Sequence, residues 1–418
     1  MKLRRILLLI CLVPLLAANV SAADVDDFLY SEVVFLRGIE LGAGGRALAL
    51  GGAYRALSDD LSALYWNPAG LASVRRIEMS LGLSQATTMD DATLQNETIS
   101  NQLSRTRLNE LGIVFPFPTY RGSLVFAVGY HQVQSFDAFG TFVDTGSEPE
   151  FEGDELESGS LGLWSLGMAI DISPAVSVGL SLRYWSGFND YSYAEELNWE
   201  TNDWYTYKQS LDLDLSGFNA ITGIVARPYN WLRIGASLET PLRLKIKENW
   251  SSAEDANDLD YYSASGSYEY KLGRSFRGGL GAAVLLGPVI ISSDIVVTDW
   301  SQTAFRSDPS FTAYTKEEAN LEITRRLHPT IDLHFGTEVW IPKSPIRLQA
   351  GYARYPSPFE DDELITDKNV FSGGINVLLD QALLVQSTVS WTSWERSLYG
   401  WAEDLQMSHL LITLAYRF

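Results

Sequence analysis

Three histidines are the side chains with the clearest capacity for chemistry, because an imidazole can act as a general base or activate a nucleophile. His131, His334 and His409 lie on segments that alternate in polarity, each on the polar face. A Ser-His-acid site would also need a nucleophile motif, and none stands out in the sequence. We therefore predict that these histidines belong to a polar wall, that no residue is catalytic and that the chain is not an enzyme.

Acidic residues dominate the composition and limit the possible partners. The chain carries 52 Asp and Glu against 31 Lys and Arg, a formal net charge of -21, which argues against nucleic acids and anionic surfaces as partners. The stretch from Glu148 to Glu157 has enough carboxylates to suggest Ca²⁺, but its spacing does not match an EF-hand loop. The single cysteine, Cys11, lies in the N-terminal apolar run. We predict a solvated acidic loop, no metal site and no cofactor.

The N-terminus has the layout of a secretory signal peptide. Lys2, Arg4 and Arg5 precede an apolar run at 6–16, and small residues follow at 20–22. The run is too short for a typical membrane-spanning helix. We predict that residues 1–22 are cleaved from the mature protein; the alternative is a retained N-terminal anchor.

Downstream of residue 76 the sequence alternates in polarity with a period of two. In the segment 124–131, Phe126 and Val128 fall on one face, and Ala127 and Gly129 fall on the other. The same pattern recurs at 164–170, 176–184, 232–239, 331–336 and 346–352. It is typical of strands with two unlike faces. Because the mean hydropathy is near zero, the pattern favours a membrane barrel, whose strands each need only one apolar face.

The connections between these segments alternate between short and long. The long ones are predicted at 87–104, 135–158, 189–207, 249–265, 301–327, 355–368 and 395–407. Aromatic residues such as Tyr184, Trp300 and Trp340 fall near strand ends, as in the girdles of outer-membrane barrels. We predict an all-β fold: a transmembrane antiparallel β-barrel over residues 77–418, with about 14 strands, embedded in the lipid of a bacterial outer membrane.

The last predicted strand supports this interpretation. Leu410, Ile412, Leu414, Tyr416 and Phe418 form an apolar face that ends the sequence on phenylalanine. This ending resembles the signal by which the barrel assembly machinery recognises its clients, so we expect that machinery as a partner during biogenesis. A soluble protein with so apolar an edge strand would be prone to aggregation.

Residues 23–76 break the alternating pattern. They contain six glycines between positions 38 and 52, and then leucines at helical spacing. We predict a short helix from about Leu57 to Trp66, capped within 58–60, which stops because the next residue precedes Pro68. A barrel of about 14 strands would leave an open lumen. We therefore predict that 23–76 is a hatch that plugs it.

Part of this segment resembles the N-terminal hatch of the FadL family. The match runs over 44–54 and 59–71, and it includes the element Asn67-Pro68-Ala69 followed by Gly70. That family has a fourteen-stranded barrel with a hatch, so the resemblance implies the same fold and the transport of long-chain fatty acids or aromatic hydrocarbons. Similar hatch segments occur in PorV-like barrels of type IX secretion. The element itself has two interpretations, a turn that reverses the chain or a gate that contacts ligand.

Residues expected in the lumen are the candidate ligand contacts. Parity places Arg183, Arg233 and His131 inward, and Arg46 lies in the hatch motif. A guanidinium could pair with a fatty-acid carboxylate; alternatively, these arginines pin the hatch through ion pairs. We predict passive uptake of a hydrophobic small molecule, with a PorV-like barrel that binds or shuttles a secreted protein as the alternative. The family's exit route uses a kinked third strand, whereas the third strand predicted here, 122–134, has no proline to mark a kink.

Overall fold

A computed structural model gives the structure of the chain. It describes Leu29, Val33 and residues 39–418, apart from 96, 258, 310–313, 361–363 and 399–400. The predicted signal peptide, 1–22, lies outside the described residues.

Antiparallel strands make up most of the described chain and form one closed sheet, because the last strand pairs with β2. The strands are β1 Ile39–Glu40, β2 Glu78–Leu94, β3 Glu97–Phe117, β4 Leu124–Ser135, β5 Ala138–Asp144, β6 Glu150–Ser173, β7 Val176–Asn198, β8 Trp204–Tyr229, β9 Leu232–Glu239, β10 Leu242–Ala256, β11 Leu259–Arg274, β12 Arg277–Leu286, β13 Val289–Asp299, β14 Ala304–Phe305, β15 Pro329–Trp340, β16 Ile346–Tyr355, β17 Lys368–Leu379, β18 Leu383–Leu398 and β19 Trp401–Arg417.

The wall of the barrel contains fourteen strands in the described part of the chain, which confirms the predicted number. Three of the short segments, β1, β5 and β14, are additions to the wall. Two wall strands are interrupted: β9 continues into β10 after Pro241, and β11 continues into β12 after Ser275. The two interruptions lie at the same level, since Arg277 faces Glu239 and Leu242 faces Arg274.

Burial follows the predicted alternation. On β4, Val125 and Ala127 are buried, while Phe126 and Val128 are exposed. On β19, Ile412, Leu414 and Tyr416 are exposed, and their neighbours at 411, 413 and 415 are buried. The exposed side chains face away from the lumen, so the barrel presents an apolar outer surface.

Most of the predicted long loops are instead strands, and this prediction was wrong. The turns between β2 and β3, β7 and β8, β10 and β11, and β18 and β19 are only a few residues long. The acidic stretch 148–157 is likewise not a loop, because β6 begins at Glu150 and pairs with both β5 and β7. Above the membrane the exposed face of the strands is polar rather than apolar, as at Asp404 and Gln406 on β19, so these segments lack the apolar outer face on which the prediction relied.

Aromatic side chains lie at both ends of the apolar surface. Tyr184 packs against Phe218 near one end, with ring centroids 4.7 Å apart, and Tyr229 stacks on Trp231 at the other. Trp300, however, is not part of a girdle. It belongs to a 3₁₀ turn, Trp300–Gln302, and lines the lumen, where its Nε1 donates to Thr330 Oγ1 at 3.1 Å.

The described residues before β2, called the hatch below, lie inside the barrel. They contain helix α1, Gly45–Ala49, helix α2, Ala63–Trp66, and a 3₁₀ helix, Pro68–Ser73, and most of them are buried. As predicted, α2 ends at Trp66, and the next residue is extended, with φ -162°. The helix is shorter than expected, and its N-cap is Ser62 rather than a residue within 58–60. Strand β1 of this segment pairs with β4 of the wall.

One longer helix, α3, Lys316–Arg326, follows β14. Thr315 and Glu318 form a capping box at its N-terminus. None of the helices in the described residues is long and apolar enough to cross a membrane.

Candidate functional site

The turn at Asn67-Pro68-Ala69 rests against glycines of the barrel wall. A Cβ atom on Gly179 of β7 would lie 2.4 Å from the backbone of Pro68 and Ala69, and one on Gly223 of β8 would lie 1.9 Å from Asn67 Oδ1. Any larger side chain would have to displace the turn. The wall is therefore shaped to receive this element.

The Asn67 side chain is fully buried, and both of its polar atoms are used. Its Nδ2 donates to the carbonyls of Arg55, at 2.8 Å, and Ile224, at 3.0 Å, and its Oδ1 accepts from Ala69 N at 3.2 Å. Gly70 packs just as closely, since an added Cβ would lie 1.8 Å from a hatch carbonyl oxygen. These contacts fit the structural interpretation of the motif, and a gating role stays a prediction.

Arg46 joins the hatch to the wall through a buried ion pair with Glu338. Its guanidinium donates to both carboxylate oxygens of Glu338, at 2.7 and 3.0 Å, and to Asp59 at 2.7 Å. A second cation, Arg347, has its Nη1 atom 3.8 Å from Glu338 Oε1. Burial opposes the ionised form of Arg46, but the charges of Asp59 and Glu338 raise its pKa well above the ordinary value. The side chain is thus held as a cation between two anions.

Arg183 makes a second connection between wall and hatch. It donates to the carbonyls of Leu64 and Tyr65 at the end of α2, and its Nη1 lies 3.3 Å from Glu239. Arg274 also donates to Glu239, at 2.8 Å. Because carbonyl groups at a helix C-terminus attract cations, this arrangement favours anchoring of the hatch over capture of a ligand by Arg183.

The other two predicted ligand contacts have different surroundings. His131 is fully buried, and its Nε2 lies 3.7 Å from Glu110. Arg233 is partly buried on β9, and its positive charge interacts electrostatically with Asp59 in the hatch. Burial opposes the charge of Asp59, yet Arg46 and then Arg233 lower the pKa of this carboxyl. The structure does not bring Arg46, Arg183, Arg233 and His131 together around one cavity.

A lumenal cavity of about 110 Å³ lies beside the hatch, at the end of α2. Five aromatic side chains line it: Tyr65, Trp185, Trp300, Tyr355 and Phe359. Sequence reasoning missed this set, because its members come from the hatch, from three separate strands or turns and from the stretch after β16. Aromatic walls of this kind suit a small hydrophobic molecule.

Most of the charged side chains that line the cavity are paired with one another. Arg277 donates to Glu40 at 2.7 Å and lies 3.3 Å from Asp332, and the Tyr65 hydroxyl donates to Glu40. Burial opposes ionisation of Glu40, but Arg277 and the hydrogen bonds lower its pKa to about 2. Because most of its charges are paired within the protein, the cavity favours a ligand with little or no charge.

In the wall next to the cavity, the pairing of β4 with both of its neighbours is irregular. Pairing between β3 and β4 stops at Glu110 and His131, although β3 continues to Glu97. In the pairing of β4 with β6, Gln132 faces Gly162 and Gln134 faces Leu161, so Val133 is an extra residue. A bulge of this kind bends the strand, and it needs no proline. The absence of proline from this strand therefore does not exclude a bend in it.

The residues of the bulge separate an inner space from an outer one. Val133 and Gln134 line the lumenal cavity. Gln132 lines a pocket of about 300 Å³ on the other side, with Leu108, Tyr130 and Trp164. Tyr130 and Trp164 are outward-facing partners with ring centroids 5.1 Å apart, so the outer pocket opens at the level of an aromatic girdle.

Comparisons with known proteins show which solved structures have a similar architecture. No family model matches the sequence, and no match was found among curated proteins. Among solved structures, the toluene transporter TodX of P. putida aligns with a TM-score of 0.68 and 14% identity, covering 91% of this chain and 99% of that one. A Pseudomonas aeruginosa FadL homologue aligns with a TM-score of 0.66 and 11% identity, covering 91% and 100%. The toluene transporter TbuX of Ralstonia pickettii aligns with a TM-score of 0.61 and 13% identity, covering 90% of this chain and 99% of that one.

The chain is therefore a membrane β-barrel of the kind that holds an N-terminal segment in its lumen. More specifically, it has the fold of the FadL-type barrels, as the resemblance of its hatch motif implied.

Proposed function

We propose that this protein is an outer-membrane channel for the passive uptake of hydrophobic compounds such as long-chain fatty acids or aromatic hydrocarbons. The observation that carries the proposal is the position of Gln132, Val133 and Gln134, which separate the lumenal cavity from the outward pocket. A ligand in the cavity would need to pass only this irregular part of the wall to reach the apolar surface of the barrel.

The cavity narrows the expected substrate. Its volume of about 110 Å³ is close to the size at which an apolar protein cavity, of about 150 Å³, binds benzene. Aromatic walls, and a lining in which most charges are already paired, favour a neutral ring compound over a carboxylate at this position. The similar folds include two toluene transporters, which supports the same substrate class. We therefore place single-ring aromatic hydrocarbons ahead of fatty acids.

The hatch determines the route in this proposal. Arg46 and Arg183 hold it against the wall, so a path straight through the lumen would require these buried contacts to break. A lateral path through the bulge requires no such change. We propose that the ligand leaves sideways, beside Val133, while the hatch stays in place.

Binding to the cavity tests the proposal. Val370 lines the cavity, and the next residue on β17, Phe371, faces outward with 60% of its surface exposed. Val370→Trp would fill part of the cavity, so we expect binding of radiolabelled toluene by the purified barrel to fall at least tenfold. Phe371→Trp is the matched control and should bind like the wild type. Unchanged binding by Val370→Trp would overturn the assignment of this cavity.

The alternative is a barrel that binds or shuttles a secreted protein, with no uptake. The similar structures named above are a FadL homologue and two toluene transporters and give that alternative no support. It would be favoured if a large secreted protein co-purified with the barrel and no hydrophobic ligand bound. Either function is that of a transport or binding protein, and we propose no enzymatic activity.

A further inference from the structure

A group of basic side chains lies on the outer face of the wall, just above the apolar band. Arg243, Lys245 and Lys247 alternate with buried residues along β10, and Lys271 lies on β11. Arg306, which follows β14, extends the group across a third strand. The chain has 31 basic residues against 52 acidic ones, and three of its eight lysines are in this group. The concentration of positive charge is therefore local.

The group starts where the apolar band ends. Arg243 pairs with Phe218 of β8, which is 68% exposed, and the residues beyond Phe218 on the same face, Ser216 and Asp214, are polar. The stacked pair Tyr229 and Trp231 marks the other end of the band. Phe218 and Tyr229 are separated by about the 9–11 residues that a tilted strand needs to cross a bilayer. The basic side chains thus lie at the level of lipid headgroups.

The charged side chains nearest the membrane are all basic. Arg243 faces Gly273, and the Arg306 guanidinium covers this glycine, since a Cβ on Gly273 would lie 3.2 Å from Arg306 Nε. Lys245 and Lys271 are direct cross-strand partners in the next row, a pairing that is unfavourable unless an anion lies close by.

Acidic residues balance only the upper part of the group. Glu269 pairs with Lys245 at 2.9 Å and also lies close enough to Lys247 and Lys271 to interact with their charges. Asp214 faces Lys247 across β8 and β10. Neither carboxylate belongs to the row of Arg243, which is the row nearest the membrane. An anion that approached from the membrane side would therefore meet positive charge first.

An apolar groove of about 540 Å³ lies directly below, on the same outer face. Ile224, Leu238, Leu280 and Val297 form its rim, and Ala236 and Gly278 contribute to its floor. A Cβ on Gly278 would have no other atom within 4 Å, so the groove is open there. Leu238 and Arg243 are five residues apart on an interrupted strand, a distance of at most about 16 Å, which one acyl chain can span.

We propose that this face binds a phosphorylated lipid of the outer leaflet, with one acyl chain in the groove and a phosphate between Arg243 and Arg306. The inference rests on the proposed outer-membrane location, but not on hydrocarbon uptake. Guanidinium groups suit phosphate oxygens because they can donate two parallel hydrogen bonds. The apolar groove and the cationic row are separate features, and a lipid is a ligand that uses both.

Lipid binding to the delipidated, purified barrel tests this proposal by native mass spectrometry. The probes are lipid A, dephosphorylated lipid A and inorganic phosphate. The variants are Arg243→Gln/Arg306→Gln, which removes the row, and Gly278→Leu, which fills the groove. The matched control is Arg121→Gln/Lys208→Gln, which removes two exposed basic residues outside the group.

We expect wild-type protein and control to bind lipid A at least tenfold more tightly than dephosphorylated lipid A. Surface cations near anionic lipid predict that the double arginine variant loses roughly ten- to thirtyfold in affinity for lipid A. Gly278→Leu should weaken both lipids. The proposal is overturned if the double arginine variant binds lipid A as the control does, if Gly278→Leu has no effect, or if inorganic phosphate alone binds as tightly as lipid A. A failure here would leave toluene binding and its dependence on Val370 intact.

Discussion

Removal of the Arg46 side chain should release the hatch from the wall. In the folded protein this guanidinium is about 6% exposed and donates to Glu338, whose side chain is fully buried, and to Asp59. Arg46→Met keeps the length and apolar stem of the side chain but leaves the Glu338 carboxylate without its main partner. Loss of one member of a buried ion pair costs about 3–5 kcal/mol, because the remaining charge is uncompensated.

Hydrogen exchange of the hatch amides is the appropriate assay, since it reports local opening without requiring the barrel to unfold. A loss of about 3–5 kcal/mol corresponds to a fall in protection of roughly two to nearly four orders of magnitude. The fall should be confined to the hatch, around 45–66, and the amides of the wall strands should keep their protection.

Two further variants separate the ion pair from general damage. Arg347→Met removes a cation that is 32% exposed and 3.8 Å from Glu338, so its effect should be at most about 1 kcal/mol. In Arg46→Met/Glu338→Met both partners are absent, and the loss should be smaller than the sum of the single losses by about 0.5–3 kcal/mol. Unchanged hatch protection in Arg46→Met, or strict additivity in the double variant, would refute the anchoring role of this pair.

The remaining predictions concern the same segment. Since the Glu40 pKa is lowered to about 2 from 4.5, the contact of Glu40 with Arg277 should stabilise the hatch fully above about pH 4.5 and weaken as the pH falls towards 2; protection of amides 39–41 should fall over this range in wild type but stay nearly constant in Glu40→Gln. Asn67→Ala should cost about 1–3 kcal/mol, because buried backbone groups lose their partners; an unchanged exchange rate near the turn would contradict this. Gly179→Val should expose the turn to protease, because its side chain would overlap the backbone at Ala69, and a wild-type cleavage pattern would show that the wall has room to move.

The barrel could be predicted well from the sequence, because polarity along its membrane-spanning strands alternates with a period of two. Lipid outside and polar side chains inside impose opposite requirements on neighbouring residues, and these are readable in segments such as 124–131. The same reasoning failed above the membrane. There β6, β7 and β8 continue as long hairpins, but their exposed face is polar, so the pattern of a lipid-facing strand ends before the strand does.

The candidate site was only partly predictable. The hatch motif could be found from its residues, but the cavity aromatics, such as Tyr65 and Trp300, meet only through the fold. The sequence does carry one signal for where the hatch contacts the wall. Inward glycines at mid-strand, Gly179 and Gly223 among them, mark places where another backbone approaches closely. The bulge at Val133 left no comparable mark, because a single extra residue in a strand needs neither glycine nor proline.

The most direct test of the account is uptake of radiolabelled toluene by cells that lack other hydrocarbon channels and produce this protein. Deletion of Val133 should restore continuous pairing between β4 and β6, whereas Val133→Ala keeps the extra residue. We predict that wild type and Val133→Ala take up toluene at similar rates, and that the deletion variant binds toluene in the cavity but loses most of its uptake. Undiminished uptake by a correctly folded deletion variant would contradict the lateral route.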